Sequence, residues 1–186
     1  MRRRLLLALG LAALAALPLA GCATPQVAPA TVVDTQTVQL AGRISLVSGQ
    51  PDAQKALYGG FRLELDGATG GEFEVFSPLG QMLARARWQP GEASLDDGRA
   101  TRAYPSFDAM TRAALGVALP QAALQDWVRG RPAQTLPAQH DADGGFTQLG
   151  WRVQPTMRDG RLVRLVAQRL EGDPAELRMV IESTTP

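Results

Sequence analysis

From Val38 onward, apolar and polar residues alternate with a period of two, the signature of strands with one face buried and one wet. Val38, Leu40, Ile44 and Leu46 fall on one face, with Gln39, Arg43 and Ser45 on the other. The pattern returns in Leu57, Phe61, Leu63 and Leu65 against Arg62, Glu64 and Asp66. After the turn signal Asp66-Gly67-Ala68-Thr69-Gly70, Phe73 and Val75 alternate with Glu72 and Glu74. Met82, Ala84, Ala86 and Trp88 then alternate with Arg85 and Arg87. Two shorter segments, Ala93 to Leu95 and Arg99 to Tyr104, flank Asp96-Asp97-Gly98. Sequential strands with short links predict an antiparallel meander with one solvated face. Gly59-Gly60, inside the second strand, predicts a bulge or bend.

The period changes at Ser106, a good N-cap with Asp108 in the following turn. Phe107, Met110, Ala114 and Leu115 recur at helical spacing up to Gly116, and Pro120 opens a second helix carrying Leu124, Trp127 and Val128, stopped by Gly130 and Pro132. Ala133 to Gly145 reads as a polar loop, and strands resume at Phe146 to Val153, Arg161 to Leu170 and Glu176 to Glu182. Two short amphipathic helices thus interrupt a β-protein. Set against an apolar sheet face, they serve equally as a packed layer or as a cover over a cavity.

The link Phe76-Ser77-Pro78-Leu79-Gly80-Gln81 is unusual for a tight turn. Pro78 and Gly80 suit positions i+1 and i+3 of a type I turn, but i+2 commonly carries Asp, Asn or Ser, and here it is Leu79. Read from the residues alone, Leu79 folds back onto Phe76 or a neighbouring strand as a small surface cluster.

The N-terminus narrows the setting. Arg2, Arg3 and Arg4 precede the uncharged stretch Leu5 to Leu17, which has the length of a signal-peptide core and is short for a bilayer span. Leu19-Ala20-Gly21-Cys22 resembles a bacterial lipobox, which implies lipidation of Cys22 and cleavage before it. Ala23, in place of an aspartate, then implies sorting to the outer membrane. The alternatives are an ordinary secretory cleavage leaving a free thiol, or a retained anchor. Residues 1–21 are therefore read as signal peptide, 22–36 as the lipidated cysteine and a tether, and 37–186 as one domain. Cys22 is the only cysteine, so that domain is expected to lack an internal disulfide.

Loss of the three arginines turns a net charge of +1 into −2 and leaves no basic field for nucleic acid or acidic lipid. Only Lys55 is a lysine. The single histidine, His140, lies near Asp141 and Asp143 in a turn-rich segment without further ligands at metal spacing, and it reads as solvated loop. Asp96-Asp97 reads as a hairpin turn, and Glu72 and Glu74 as a wet strand face. With no nucleophile and base, metal site or phosphate loop, a binder is expected before an enzyme, with no cofactor, no metal and no catalytic residues.

Four signals occur in order: Leu40-Ala41-Gly42-Arg43; Ser77-Pro78-Leu79-Gly80; Gly116-Val117-Ala118-Leu119-Pro120 leading to Leu124, Trp127, Gly130 and Pro132; and Gln148-Leu149-Gly150-Trp151. Behind a lipobox, this order and spacing resembles the LolB family of outer-membrane lipoprotein receptors. The chain departs from the family pattern at Pro155, at Leu162-Val163 and in its ending Ile181-Glu182-Ser183-Thr184-Thr185-Pro186.

The resemblance implies an incomplete, half-open antiparallel β-barrel with a helical lid over a hydrophobic cavity. It implies a monomeric receptor that accepts acylated lipoproteins from the periplasmic carrier LolA and places them among the phospholipids of the outer membrane's inner leaflet. Phe61, Leu63, Phe73, Val75, Met82 and Trp151 are the candidates for the acyl-binding cavity. Phe107, Met110, Leu124 and Trp127 are those for the lid underside. The family likeness also implies that Leu79, held between Pro78 and Gly80, enters the bilayer. The rival reading is a structural accessory lipoprotein that binds a protein partner and has no cavity.

Overall fold

The structure is a computed structural model that describes residues 37–67 and 69–185. Cys22, the signal peptide and the tether lie outside the described residues. Among the described residues, eleven strands form one antiparallel sheet. The first six are β1 (Val38–Ser48), β2 (Lys55–Asp66), β3 (Gly70–Phe76), β4 (Met82–Gln89), β5 (Glu92–Asp96) and β6 (Thr101–Tyr104). Helices α1 (Phe107–Leu115) and α2 (Gln121–Trp127) follow. The chain returns through β7 (Gln139–His140), β8 (Phe146–Gln148), β9 (Trp151–Arg158), β10 (Arg161–Arg169) and β11 (Ala175–Thr185).

The strand order is β6-β5-β4-β3-β2-β1-β11-β10-β9-β8-β7. Every neighbour in it is also a neighbour in sequence except β1 and β11. That pairing joins the two halves of the chain, and β6 and β7 are left as the edges of an open sheet. The helices lie in the connection between those edges. Among the described residues no helix is long and apolar enough to cross a membrane.

The alternation in the sequence appears directly as burial. Leu40, Ile44 and Leu46 of β1 and Phe61, Leu63 and Leu65 of β2 are buried, while Arg43, Arg62 and Glu64 stay outside. The outer face carries a charge ladder. Glu74 accepts from Arg85 Nε and Nη2 at 2.8 and 2.6 Å, and Glu72 accepts from Arg87 Nε at 2.5 Å. The cross-strand pairs Glu72↔Arg87 and Glu74↔Arg85 align these charges, so the sheet face is wet yet ordered. The guanidinium of Arg62 also lies over the Phe76 ring, 5.0 Å from its centroid.

Helix α1 begins where expected, with Ser106 Oγ accepting from the Ala109 N–H at 3.1 Å. It ends at Gly116, whose φ of 75° and N–H bond to the Arg112 carbonyl close the last turn. The two carbonyls before that end, of Ala113 and Ala114, accept from Lys55 Nζ, and the Leu115 carbonyl accepts from Ser48 Oγ. The sole lysine thus ties the end of α1 to β2, with a positive charge at the negative end of the helix dipole.

Three expectations are corrected. Gly59-Gly60 carries no bulge, because the β1–β2 register runs unbroken from Val38↔Leu65 to Ser48↔Lys55. Its use is close approach: a Cβ on Gly59 would sit 2.3 Å from the Phe76 carbonyl oxygen. The predicted strand Phe146 to Val153 is two strands, β8 and β9, joined by Leu149 and Gly150 with φ of 53° and 74°. Both signs are those of a type I′ turn, and the left-handed conformation costs an L side chain such as Leu149 roughly 1 kcal/mol. The polar loop Ala133 to Gly145 contains β7, which pairs Gln139 with Thr147 and His140 with Phe146.

The departures in the last strands are absorbed without breaking the sheet. Pro155 lies opposite Leu165 of β10, beyond the reach of β8, whose last pairing is Phe146↔Val153. On that unpaired side a missing N–H costs nothing. Val163 falls in a register shift between Leu162 and Arg164.

Candidate functional site

An apolar pocket of about 150 Å³ lies between the sheet and the two helices. Strands β11, β1, β2, β3, β4 and β5 contribute one wall through residues that include Leu177, Ile44, Leu63, Phe73, Ala84 and Leu95. The other wall is Phe107, Met110, Ala114, Leu115, Leu119 and Leu124. Among the described residues that line it only Thr111 is polar, and its hydroxyl is occupied by the Leu119 N–H and the Asp108 carbonyl. No group on the wall is left to orient a polar ligand. What the pocket offers is shape and apolar area.

Small side chains create the space. Ala84 and Ala86 of β4 face the helices where the neighbouring wall residues are large. Trp88, two positions on, fills its place and packs on Phe107 with ring centroids 4.5 Å apart. That contact seats the start of α1 on β4.

Six of the ten candidate residues for cavity and lid line this pocket: Leu63, Phe73, Val75, Phe107, Met110 and Leu124. Four do not. Phe61 is buried but stacked on Phe73, centroids 5.7 Å apart, and the Phe73 ring is the one that forms the wall. Met82 is 41% exposed. The β3–β4 register passes from Val75↔Ala84 to Phe76↔Met82, so Leu83 is an extra residue that carries Met82 to the outer side with Phe76.

Trp127 and Trp151 pack on each other, 6.3 Å between centroids, and Trp127 also meets Phe146 at 6.4 Å. They lie in the same core away from the pocket wall, held by a residue the alternation did not single out. Buried Gln148 accepts from Trp127 Nε1 at 3.0 Å and from the Ala133 N–H at 2.9 Å, and donates to the Ala133 and Leu136 carbonyls. The end of α2 is thereby fastened to β8. The strand pattern assigned Gln148 no partner, and only the assembled loop shows it to be buried.

At the end of the β3–β4 hairpin, the Gly80 N–H donates to the Ser77 carbonyl at 2.9 Å and the Gln81 carbonyl accepts from the Ser77 N–H at 2.8 Å. Ser77 Oγ also accepts from the Leu79 and Gln81 N–H groups. With Gly80 at φ 79°, this is a type I turn closed by a left-handed glycine. Leu79 is 88% exposed, so the expected fold-back onto Phe76 does not occur. The turn bonds hold its backbone outward, and Phe76 is already covered by Arg62. No charged residue occurs from Ser77 to Ala84, and Leu79, Met82 and Leu83 are all exposed.

His140, Asp141 and Asp143 do not converge. Asp141 and Asp143 pair with Arg152, at 3.1 and 3.6 Å, and among the described residues no group of three or more His, Cys, Asp or Glu could hold a metal ion.

The geometry defines a class first: an open antiparallel sheet that, with two helices, lines an apolar pocket, and that presents a bare leucine on one hairpin tip. Residues 36–183 match the family model described as outer membrane lipoprotein LolB. Outer-membrane lipoprotein LolB of Cupriavidus taiwanensis is 32% identical over 206 residues, covering 100% of this chain and 98% of its own length. That of Bordetella petrii is 36% identical over 175 residues, covering 89% and 84%, and that of Cupriavidus necator is 32% identical over 200 residues, covering 100% and 98%. The chain belongs to the LolB family of outer-membrane lipoproteins.

Proposed function

We propose that this protein is the receptor that takes acylated lipoproteins from the periplasmic carrier LolA and inserts them into the inner leaflet of the outer membrane, itself anchored there through lipidated Cys22. The observation that carries the reading is the pairing of an all but wholly apolar pocket with an exposed leucine on an uncharged hairpin tip. Family membership supplies the setting, outer-membrane lipoprotein localisation.

Acyl chains explain the need for such a protein. Their burial is worth about 0.8 kcal/mol per CH₂, so three chains of roughly fifteen methylenes gain on the order of 35 kcal/mol, and escape through water is forbidden. Cargo passes from one shielded cavity to the next, in the direction of tighter binding.

At about 150 Å³ the pocket matches the size of cavity that holds one benzene ring. An acyl chain needs more room, so the helices act as a lid that moves to admit it. Helix α2 is held by the buried Gln148 bonds, whereas α1 is held at its end by exposed Lys55 and by Ser48. The C-terminal end of α1, away from the Trp88–Phe107 contact, is therefore the part that lifts. Leu63, Phe73, Val75, Phe107, Met110 and Leu124 then meet the chain.

The test mixes carrier loaded with acylated lipoprotein, the full chain, and phospholipid vesicles. Cargo moves from carrier to this protein and then to vesicles. Cargo that stays on the carrier, together with no uptake of fatty acid by the pocket, returns the protein to the accessory, partner-binding reading.

A further inference from the structure

A second leucine sits on a hairpin tip where a turn would ordinarily carry another residue. Leu149, in the left-handed turn between β8 and β9, is 48% exposed. A type I′ turn favours Asn or Asp at this position, so leucine here is both strained and in water. Beside it the Leu170 N–H donates to the Gly150 carbonyl at 2.9 Å, and Leu170 is 55% exposed.

The registers place this pair relative to Leu79. Gln148↔Trp151, Arg169↔Trp151, Ser48↔Ala175, Ser48↔Lys55 and Phe76↔Met82 are the last pairings before their respective turns or strand ends. The turns after Gln148, Arg169, Ser48 and Phe76 thus all leave the same end of the sheet. Leu79, Leu149 and Leu170 point toward that end, on opposite sides of the central strands β1 and β11; Phe76 is level with Gly60, short of Lys55 and Ser48, so a plane through both tips is inclined to the strands.

We infer that Leu149 and Leu170 form a second point of contact with the phospholipid leaflet, so that the domain stands on the bilayer on two separated apolar tips; this rests on the membrane role proposed above for Leu79. A lipid surface suits them better than a protein does. Neither tip is set in a groove, and leucine is under-represented among the anchors of protein interfaces, where Trp, Tyr and Arg lead. Lipid asks only for apolar area.

Chain length permits the posture. Val38 starts β1 at the opposite end of the sheet, and the 11 residues of β1 span about 36 Å. The stretch from Cys22 to Val38 reaches at most about 53 Å at roughly 3.3 Å per residue. That reach exceeds the length of β1, so an anchor at Cys22 is compatible with a leaflet that the tips touch. Two contacts fix tilt, which one contact leaves free.

The experiment uses the full lipidated chain in vesicles of phosphatidylethanolamine and phosphatidylglycerol doped with nitroxide-labelled lipid. Single cysteines replace Leu79, Leu149, Leu170 or, as a control on the β9–β10 tip at the other end of the sheet, Asp159, and each carries a bimane fluorophore. Quenching at 79, 149 and 170 but not at 159 is the expected result. Quenching at 79 alone overturns the inference and leaves the membrane role of Leu79 standing, whereas no quenching at any tip overturns both. In a second arm, Leu149→Asn relieves the turn and keeps or raises the thermal midpoint, yet lowers delivery of lipoprotein to vesicles roughly 3- to 10-fold, a loss of up to about 1.4 kcal/mol. A lowered midpoint with unchanged delivery makes Leu149 structural, and impaired uptake from the carrier with normal delivery makes the tip a protein contact; either overturns the inference.

Discussion

Trp127 Nε1 donates to Gln148 Oε1 at 3.0 Å, and this bond joins the second helix to a strand that follows it by some twenty residues. Both side chains are buried. The same glutamine serves the Ala133 N–H and two carbonyls, so it satisfies a loop as well as a helix.

Gln148→Leu leaves the Trp127 and Ala133 N–H groups without an acceptor in the core. Each unpaired buried group costs about 1–3 kcal/mol, so the variant loses roughly 2–5 kcal/mol of stability in urea denaturation. A change below about 0.5 kcal/mol would show that water replaces the amide.

Ala84→Leu separates an empty pocket from a packed core. Filling an open pocket leaves stability unchanged or slightly raised and abolishes uptake of a fluorescent fatty acid. Were the region close-packed, the added methylenes would cost about 1–3 kcal/mol. Thermal melting and dye binding on one sample decide between them.

Lys55→Gln removes the cation that closes the end of α1. The exposed contact is worth about 0.3–1 kcal/mol, so the melting temperature drops little. Amide exchange in α1 speeds up while α2, held by Gln148, is unaffected, and hydrogen exchange read by mass spectrometry is the check. Equal acceleration in both helices would mean that they open as one unit.

Leu79→Glu keeps the fold, because a side chain 88% exposed contributes little to packing. Lipoprotein is still taken from the carrier, but its delivery to vesicles falls about 10-fold, the factor for 1.4 kcal/mol lost at the membrane step. Receipt and delivery are measured separately; an equal loss of both counts against a membrane role.

Acid weakens the hairpin after β5. The Ala100 and Arg99 N–H groups hold the Asp97 carboxyl below its ordinary value of 3.8. A depressed folded pKa means that the stabilisation is present above 3.8 and is lost as pH falls through the lower folded value. Asp97→Asn should therefore flatten the drop of melting temperature in acid by lowering the neutral value toward the acid one. An acid limb identical to that of the wild type would assign the loss to other carboxylates, such as Asp143, held low by the Gly145 N–H.

Local chemistry determined much of this protein. A period of two placed β1 to β4, a change of period placed α1 and α2, and Ser106 and Gly116 bounded α1 as their side chains and backbone preferences require. The order of four short motifs identified the family. What alternation conveys is which face a residue takes, and it says nothing of depth or of what lies opposite. Phe61 and Trp151 read as cavity residues and Trp127 as a lid residue for that reason, and only packing separated them from Phe73 and Leu124. Met82 changed sides through one unpaired residue, Leu83, because a bulge resets a period that sequence counting carries straight through. Gln148 acquired its importance from Trp127 and Ala133, partners that become neighbours only when the loop folds over β8. Tertiary structure likewise decided that Leu79 stands free and that Leu149 and Leu170 share its end of the sheet, since the placing of a turn depends on every strand paired between it and the next.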